Sequence, residues 1–260
     1  MTSMMARSLN ELSNSRRGIF DSVLGVGGLA LRRLLERGFP QACALCAART
    51  ARSALCDPCM NALPALGPAC PQCASPATSA TICGACLKQP PRFSSTIAGG
   101  AYAYPLDRLV QALKYGHRLS LANPLGHKLA AAVERSLGSA TRPDAVIALP
   151  LAPARQRERG FNQSIEIARV VARRTAVALE GGLVRTGNGA AQASLPWAQR
   201  RRNVRGAFAC TRSFGGRHVA IVDDVMTTGA TLESAATALL EAGAVRVDAW
   251  VVARTLPPGT

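Results

Sequence analysis

The sequence predicts an α/β fold: an open, mostly parallel sheet with flanking helices, preceded by a small cysteine-rich unit. Three observations predict it. The apolar runs at residues 145–149 and 219–222 have the length and lack of alternation of strands buried on both faces. The second run leads into Asp223-Asp224, then Thr227-Thr228-Gly229-Ala230-Thr231, then the helical spacing of Leu232, Ala235, Ala236, Leu239 and Leu240. Ahead of both runs, eight cysteines fall in four C-x-x-C pairs. A chain of 260 residues with 48% hydrophobic content is long enough for one medium domain plus an accessory unit. Aromatics are only 4%, so its packing must be mainly aliphatic.

Taken in order, residues 1–39 read as a polar leader followed by an amphipathic helix that Gly25-Val26-Gly27-Gly28 weakens in its middle. That glycine cluster lacks the final spaced glycine and the preceding strand of a dinucleotide fingerprint. Arg16-Arg17 ahead of an apolar segment is similar to a twin-arginine export signal, but Asp21, Arg32 and Arg33 interrupt or close the segment and no convincing cleavage site follows. No run of about 18 apolar residues occurs, so a membrane span is not expected and the expected location is the cytoplasm.

Residues 40–92 hold the pairs Cys43/Cys46, Cys56/Cys59, Cys70/Cys73 and Cys83/Cys86. Each cysteine of the first two pairs lies 27 residues before its counterpart, which indicates a duplicated unit. A C-x-x-C turn presents two thiolates to one ion, and two turns complete the tetrahedral sulfur cage that Zn²⁺ accepts. Two structural zinc ions are therefore expected. The repeat favours sequential sites, Cys43/Cys46/Cys56/Cys59 and Cys70/Cys73/Cys83/Cys86, with a cross-braced arrangement as the alternative. Disulfides would need an oxidising compartment, and an iron–sulfur cluster suits two ribbon-spaced sets less well than zinc. The ninth cysteine, Cys210, reads as a packed apolar residue.

Residues 93–254 form the larger domain, followed by a tail at 255–260. A strand is expected over 98–104, and a helix over 106–115 with Leu109, Val110 and Leu113 on one face. Lys114 and His117 beside Gly116 fit either a substrate contact or a solvated helix end. Another helix is expected over 121–137. After the strand at 145–149, Arg155, Arg157 and Arg159 leave the strand's end in a loop, and Asn162 or Ser164 caps the next helix. Ligands of open α/β sheets sit beyond the carboxyl ends of strands, so neighbouring strands would bring these arginines and Asp223/Asp224 to one rim. Residues 183–184 suffice for only part of a strand. Residues 185–208 are aperiodic and read as a long loop of the kind that closes over active sites. A last strand is expected over 244–252.

The formal charge of +16 is unevenly spread. Between residues 185 and 218 lie Arg185, Arg200, Arg201, Arg202, Arg205, Arg212 and Arg217, with no acid. Such a segment suits a polyanion.

The chemistry of residues 219–231 is specific. Backbone N–H groups at a helix start, threonine hydroxyls and a close-approach glycine suit a phosphate, whereas paired carboxylates suit sugar hydroxyls. The stretch closely resembles the phosphoribosyl pyrophosphate motif of type I phosphoribosyltransferases. With the cysteine pairs, Leu113-Lys114-Tyr115, Arg159-Gly160-Phe161-Asn162-Gln163, and Gln192, Leu195, Arg200, Asn203 and Gly206-Ala207-Phe208 all in order, residues 40–252 resemble the ComF family.

That resemblance implies a type I phosphoribosyltransferase fold behind a double zinc ribbon, with phosphoribosyl pyrophosphate and Mg²⁺ as ligands. It implies that Asp223 and Asp224 hold the ribose and that Thr227, Thr228, Gly229 and Thr231 hold the 5′-phosphate. Arg155, Arg157 and Arg159, chosen on charge, are candidates for the pyrophosphate, and Arg185 and Arg200 for lid contacts. No general base is assigned. The implied reaction displaces pyrophosphate from the ribose in favour of an unidentified acceptor, in a setting of DNA uptake and natural transformation. The alternative is a non-catalytic sensor of the same ligand that binds single-stranded DNA, with DNA-uptake proteins as further expected partners.

Overall fold

The computed structural model describes residues 41–50, 53–137, 142–186 and 206–256. The expected leader and amphipathic helix, Arg200 and most of the expected lid lie outside the described residues.

The cysteine unit repeats itself in space as in sequence. In its first half β1 (Gln41–Ala42) and β2 (Arg49–Thr50) form an antiparallel hairpin, and α1 (Asp57–Asn61) follows. In its second half, an Ala69–Pro76 bridge and α2 (Gly84–Lys88) take the equivalent places. Each C-x-x-C turn closes by the same bond, Ala47 N to Cys43 O at 2.9 Å and Ala74 N to Cys70 O at 2.8 Å. Cys56 and Cys83 stand at the N-caps of the two short helices.

The main sheet has five parallel strands in the order β3-β9-β8-β4-β5. These are β3 (Ser95–Ala98), β4 (Ala145–Ala148), β5 (Ala178–Glu180), β8 (His218–Met226) and β9 (Arg246–Arg254). A separate antiparallel hairpin pairs β6 (Leu183–Arg185) with β7 (Phe208–Cys210). The helices are α3 (Leu106–Tyr115), α4 (Ala122–Leu137), α5 (Pro153–Arg159), α6 (Gln163–Thr175) and α7 (Ala230–Glu241).

The two-residue period of the strands divides the core into two layers. Val146, Ala220, Val222, Trp250 and Val252 pack with Leu109, Leu113, Leu125, Leu129 and Ile167 of α3, α4 and α6. Ile147, Val219, Ile221, Ala249 and Val251 pack with Leu232, Ala235 and Leu239 of α7, and with Phe93 and Phe214. Coverage on both faces is why the strand sequences show apolar runs rather than alternation. Cys43, Leu55 and Leu63 belong to the first layer, so the first half of the cysteine unit shares the sheet's core.

Three local expectations are corrected. The first long-domain strand lies at Ser95–Ala98, not over 98–104. It ends at Gly99-Gly100, where a Cβ would stand 2.8 Å from Val252 O and 2.2 Å from Pro64 O, so glycine lets the strand end lie against both β9 and the cysteine unit. The arginine segment after β4 is helical, because Pro153 stands at its first turn and Gly160 closes it at φ 75°. The residues at 185 and 208, read as ends of one loop, are paired strand residues, Arg185 with Phe208. Strand β5, at the sheet edge, is too short and too exposed to show a pattern in the sequence. The helix expected over 106–115 and that over 121–137 are present, the second after a 3₁₀ turn at Leu119–Leu121.

Candidate functional site

Strand β4 lies directly beside β8, with Ala148 opposite Val222, so the carboxyl ends of both open onto one rim. Asn162 fixes the chain as it returns there. Its Nδ2 donates to Leu149 O at 3.0 Å, and its Oδ1 accepts from Ser164 N at 2.9 Å, capping α6.

Asp223 and Asp224 are held by different helices, α6 through Ser164 and α3 through Lys114. Asp223 Oδ1 accepts from Ser164 Oγ at 2.9 Å and from Asp224 N at 2.8 Å. Burial, and then the charge of Asp224, raise the Asp223 carboxyl to about 7 against the opposing pull of Lys114. Asp224 is 3% exposed, and its Oδ1 lies 2.7 Å from Lys114 Nζ. Burial works against the lysine's charge, but Asp224 outweighs it and holds the pKa above the ordinary value. Lys114 is thus an ion-pair partner of the acidic pair rather than a solvated helix end, whereas His117 is exposed and meets Phe161 edge-on.

Among the described residues, the buried side-chain polar atoms without a hydrogen-bond partner are Arg185 Nε, Asp224 Oδ2 and Trp250 Nε1. The first two border the acidic pair. Burial and then Arg155 lower the Arg185 pKa while Asp223 opposes them, so Arg155, Arg185 and Asp223 share one electrostatic neighbourhood. A buried polar atom left unpaired costs about 1–3 kcal/mol, so two such atoms in and around the acidic pair mark a place suited to a polar ligand.

The arginines read from the sequence divide. Arg155 belongs with Arg185. Arg159 instead donates to Gln163 Oε1 at 2.6 Å and lies 5.3 Å from the Tyr115 ring centroid. Arg157 is exposed two residues round the same helix, a spacing that places it on a different face from Arg155 and Arg159. Of the basic segment before β8, Arg217 grips Glu180 through both guanidinium nitrogens at 2.8 Å, and Arg212 pairs with the same carboxylate. Arg217 and then Arg212 lower Glu180 to about 2. Those two charges tie β5 to the approach of β8.

Thr227 and Thr228 are exposed in the turn after β8, and Gly229 starts α7 at φ 81°. A Cβ on Gly229 would stand 2.7 Å from Met226 Cε. Thr231 lies in the first turn of α7, so hydroxyls and free N–H groups converge at a helix start. Arg254, whose importance nothing in the sequence flags beyond its place at a strand's end, supports this turn from below. Its Nη1 donates to Met226 O at 3.2 Å and also to Thr227 O.

The cysteines form two groups, Cys43/Cys46/Cys56/Cys59 and Cys70/Cys73/Cys83/Cys86, each with its sulfurs within 4.8 Å of one another. The pairing is therefore sequential, not cross-braced. Each set offers four thiol ligands at a separation suited to one tetrahedral ion. In the first set desolvation works to raise Cys43, but the N–H groups of Cys46, Cys56 and Leu45 outweigh it and lower the thiol to about 6. Its neighbours Cys56 and Cys46 push Cys59 up to about 12. Such proton crowding is what a cation relieves. Cys210 is half-buried, with its Sγ donating to Ala238 O at 3.4 Å.

The chain is similar to double zinc ribbon domains over residues 34–87 and to phosphoribosyl transferase domains over residues 146–256. The DNA utilization protein YhgH of Escherichia coli O157:H7 is 37% identical over 67% of this chain and 78% of its own. The Salmonella typhimurium protein of the same name is 35% identical, over 82% and 90%. Competence protein F of Haemophilus influenzae is 32% identical, over 78% and 92%.

The chain belongs to the ComF family.

The ComF-family chain has a type I phosphoribosyltransferase fold behind an N-terminal double zinc ribbon, and its two four-cysteine zinc-binding sites fit that ribbon. A glutamine phosphoribosylpyrophosphate amidotransferase from B. subtilis is 27% identical over 52% of this chain and 27% of its own, with a TM-score of 0.35. The fold assignment rests on the two family matches and the sheet. Among the described residues, no helix is long and apolar enough to cross a membrane.

Proposed function

We propose that this ComF-family chain binds phosphoribosyl pyrophosphate with Mg²⁺ and transfers the phosphoribosyl group to an acceptor. The observation that carries this reading is the acidic pair at the end of β8, whose Asp224 Oδ2 is buried without a partner, followed directly by the hydroxyl-bearing turn at the start of α7. In the proposed complex Asp223 and Asp224 accept from ribose hydroxyls. Thr227, Thr228, Gly229 and Thr231 hold the 5′-phosphate. Arg155 and Arg185 face the pyrophosphate, with Arg157, Arg159 and Arg200 as further candidates.

In the reaction, the bond from the anomeric carbon to pyrophosphate oxygen breaks and pyrophosphate leaves with the electron pair. The acceptor forms the new bond and gives up a proton where its nucleophile carries one. Mg²⁺ on the pyrophosphate supplies charge neutralisation for the leaving group. The protein's own residues hold the ribose still and place positive charge where negative charge develops. Lys114 holds Asp224 in place for its hydroxyl contact.

Double zinc ribbon over 40–92 and transferase domain over 93–254 is the division we propose, with structural Zn²⁺ in the ribbon. A reducing compartment, the cytoplasm, suits two sets of free thiols. Relatives named for DNA utilization and competence support a link to DNA uptake, and single-stranded DNA and uptake proteins as partners. A sensor that binds the same ligand without turnover is the second reading. The two separate on pyrophosphate release. Given phosphoribosyl pyrophosphate, Mg²⁺ and a panel of bases, amines and nucleic acids, an enzyme releases pyrophosphate with at least one of them. Binding with no release across the panel favours the sensor.

A further inference from the structure

Arg254 is the last residue of β9, opposite Met226 at the end of β8, and is 8% exposed. Its guanidinium divides its donors between two places far apart in sequence. Nη1 donates to Met226 O at 3.2 Å and to Thr227 O, both carbonyls of the phosphate turn. The same nitrogen reaches Thr255 O at 3.0 Å. On the other side Nε donates to Cys73 O at 2.9 Å and Nη2 to Ser75 Oγ at 3.0 Å. Ser75 Oγ in turn accepts from Cys73 Sγ at 3.2 Å. One rigid, planar group therefore spans the second C-x-x-C turn and the turn proposed to hold the 5′-phosphate.

Met226 and Phe93 pack in the same layer as Cys73, so the bridge is embedded in side-chain packing. A buried guanidinium is costly unless it is compensated by bonds and opposite charge. Here the compensating bonds go to four carbonyls and a serine hydroxyl, which lie on the second cysteine turn, the phosphate turn and Thr255. Through these bonds the Cys73–Ser75 segment orients the guanidinium, and the guanidinium holds the carbonyls of the phosphate turn.

We propose that Arg254 is a positioning residue that couples the second four-cysteine site to the phosphate turn, so that metal occupancy and phosphoribosyl pyrophosphate binding strengthen each other. The inference rests on the phosphoribosyl pyrophosphate reading of the turn. Linkage makes it reciprocal: whatever factor metal adds to ligand affinity, ligand adds to metal affinity. The first four-cysteine set, whose Cys43 packs with Leu106 and Leu109 in the opposite layer, serves as the internal control.

The test loads the full chain with ¹¹³Cd and reads two resonances, with the first-site signal assigned by a Cys46→Ser variant. Calorimetry with phosphoribosyl pyrophosphate and Mg²⁺ is run on the same samples. The expected result is that the ligand moves the second-site resonance alone, and slows chelator removal of that metal about tenfold. Arg254→Lys, which keeps the charge but cannot span both turns, and Arg254→Gln both abolish the effect. A ligand that binds while the second-site signal and release rate stay unchanged overturns the coupling and leaves the binding reading intact. So does an equal response at both sites, or an undiminished effect in Arg254→Gln. No heat of binding to the native protein removes both readings. If Arg254→Gln does not fold, Ser75→Ala deletes one acceptor and leaves Arg254 in place; an undiminished effect there also overturns the proposal.

Discussion

Lys114 Nζ stands 2.7 Å from Asp224 Oδ1 and leaves Asp224 Oδ2 buried without a partner. Both side chains are largely removed from water, at 19% and 4% exposure. Removing the lysine strands a buried carboxylate, which costs about 3–5 kcal/mol. Lys114→Met is thus expected to lower the denaturation midpoint sharply. Lys114→Met combined with Asp224→Leu is expected to recover most of that stability while losing ligand binding. Urea denaturation of the native chain, Lys114→Met, Asp224→Leu and the double variant measures the coupling, and additive effects would contradict it.

The Asp223 carboxyl titrates at about 7 in the folded chain against an ordinary value of 3.8. Between those limits the folded state holds more protons than the unfolded one, so this group's contribution to stability is full below pH about 4 and is lost as pH rises through about 7. Asp223→Asn is expected to be more stable than the native chain above pH 7, with a flatter dependence between pH 4 and 7. Melting temperatures across that range decide it. Glu180, lowered to about 2, works in the opposite sense: its contribution is present above its ordinary value of 4.5 and is lost as pH falls through about 2.

The first half of the cysteine unit contributes Cys43, Leu55 and Leu63 to the core that contains Leu106, Leu129 and Trp250. Stripping metal is therefore expected to lower the melting temperature of the whole protein as one transition, by on the order of 10 °C or more, rather than to release a separate unit. Calorimetry of metal-loaded and chelated protein reads this directly. Two transitions, with the upper one unmoved, would contradict it.

Gly229 adopts φ 81° at the start of α7. Gly229→Ala imposes a left-handed conformation on a residue with a Cβ, at a cost of about 1 kcal/mol. Met226 Cε, 2.7 Å from that Cβ, is the flexible end of its side chain and can move. The expected result is a modest loss of stability with a larger loss of ligand affinity, because the turn's N–H groups are displaced. Equal losses in both would contradict a role for the turn in binding.

Much of this architecture is legible in the sequence. Leu109, Val110 and Leu113 mark α3, the apolar runs mark β4 and β8, and the 27-residue repeat selects the sequential cysteine sets found in the structure. Residues without an apolar period are harder to read. The segment carrying Arg155, Arg157 and Arg159 forms a helix whose residues are mostly exposed, so it shows no buried stripe to read. Strand β3 reads too late in the chain because apolar character continues past the glycine pair that ends it.

The site's acidic pair and phosphate turn follow from a contiguous motif. Lys114, Ser164 and Arg254 do not, since each acts through a partner distant in the chain: Asp224, Asp223 and Cys73. Only the fold brings them together. Gly116 and the nearby Lys114, at a helix end, offer an ambiguous signal that the ion pair resolves.

The acidic pair and phosphate turn are proposed to bind phosphoribosyl pyrophosphate. The most direct test is a calorimetric titration of the zinc-loaded chain with that ligand and Mg²⁺, beside a variant carrying Asp223→Asn and Asp224→Asn. Saturable one-site binding to the native chain is expected, with its loss in a variant that still melts cooperatively. Equal binding by both proteins, or no binding by the native chain, would contradict it.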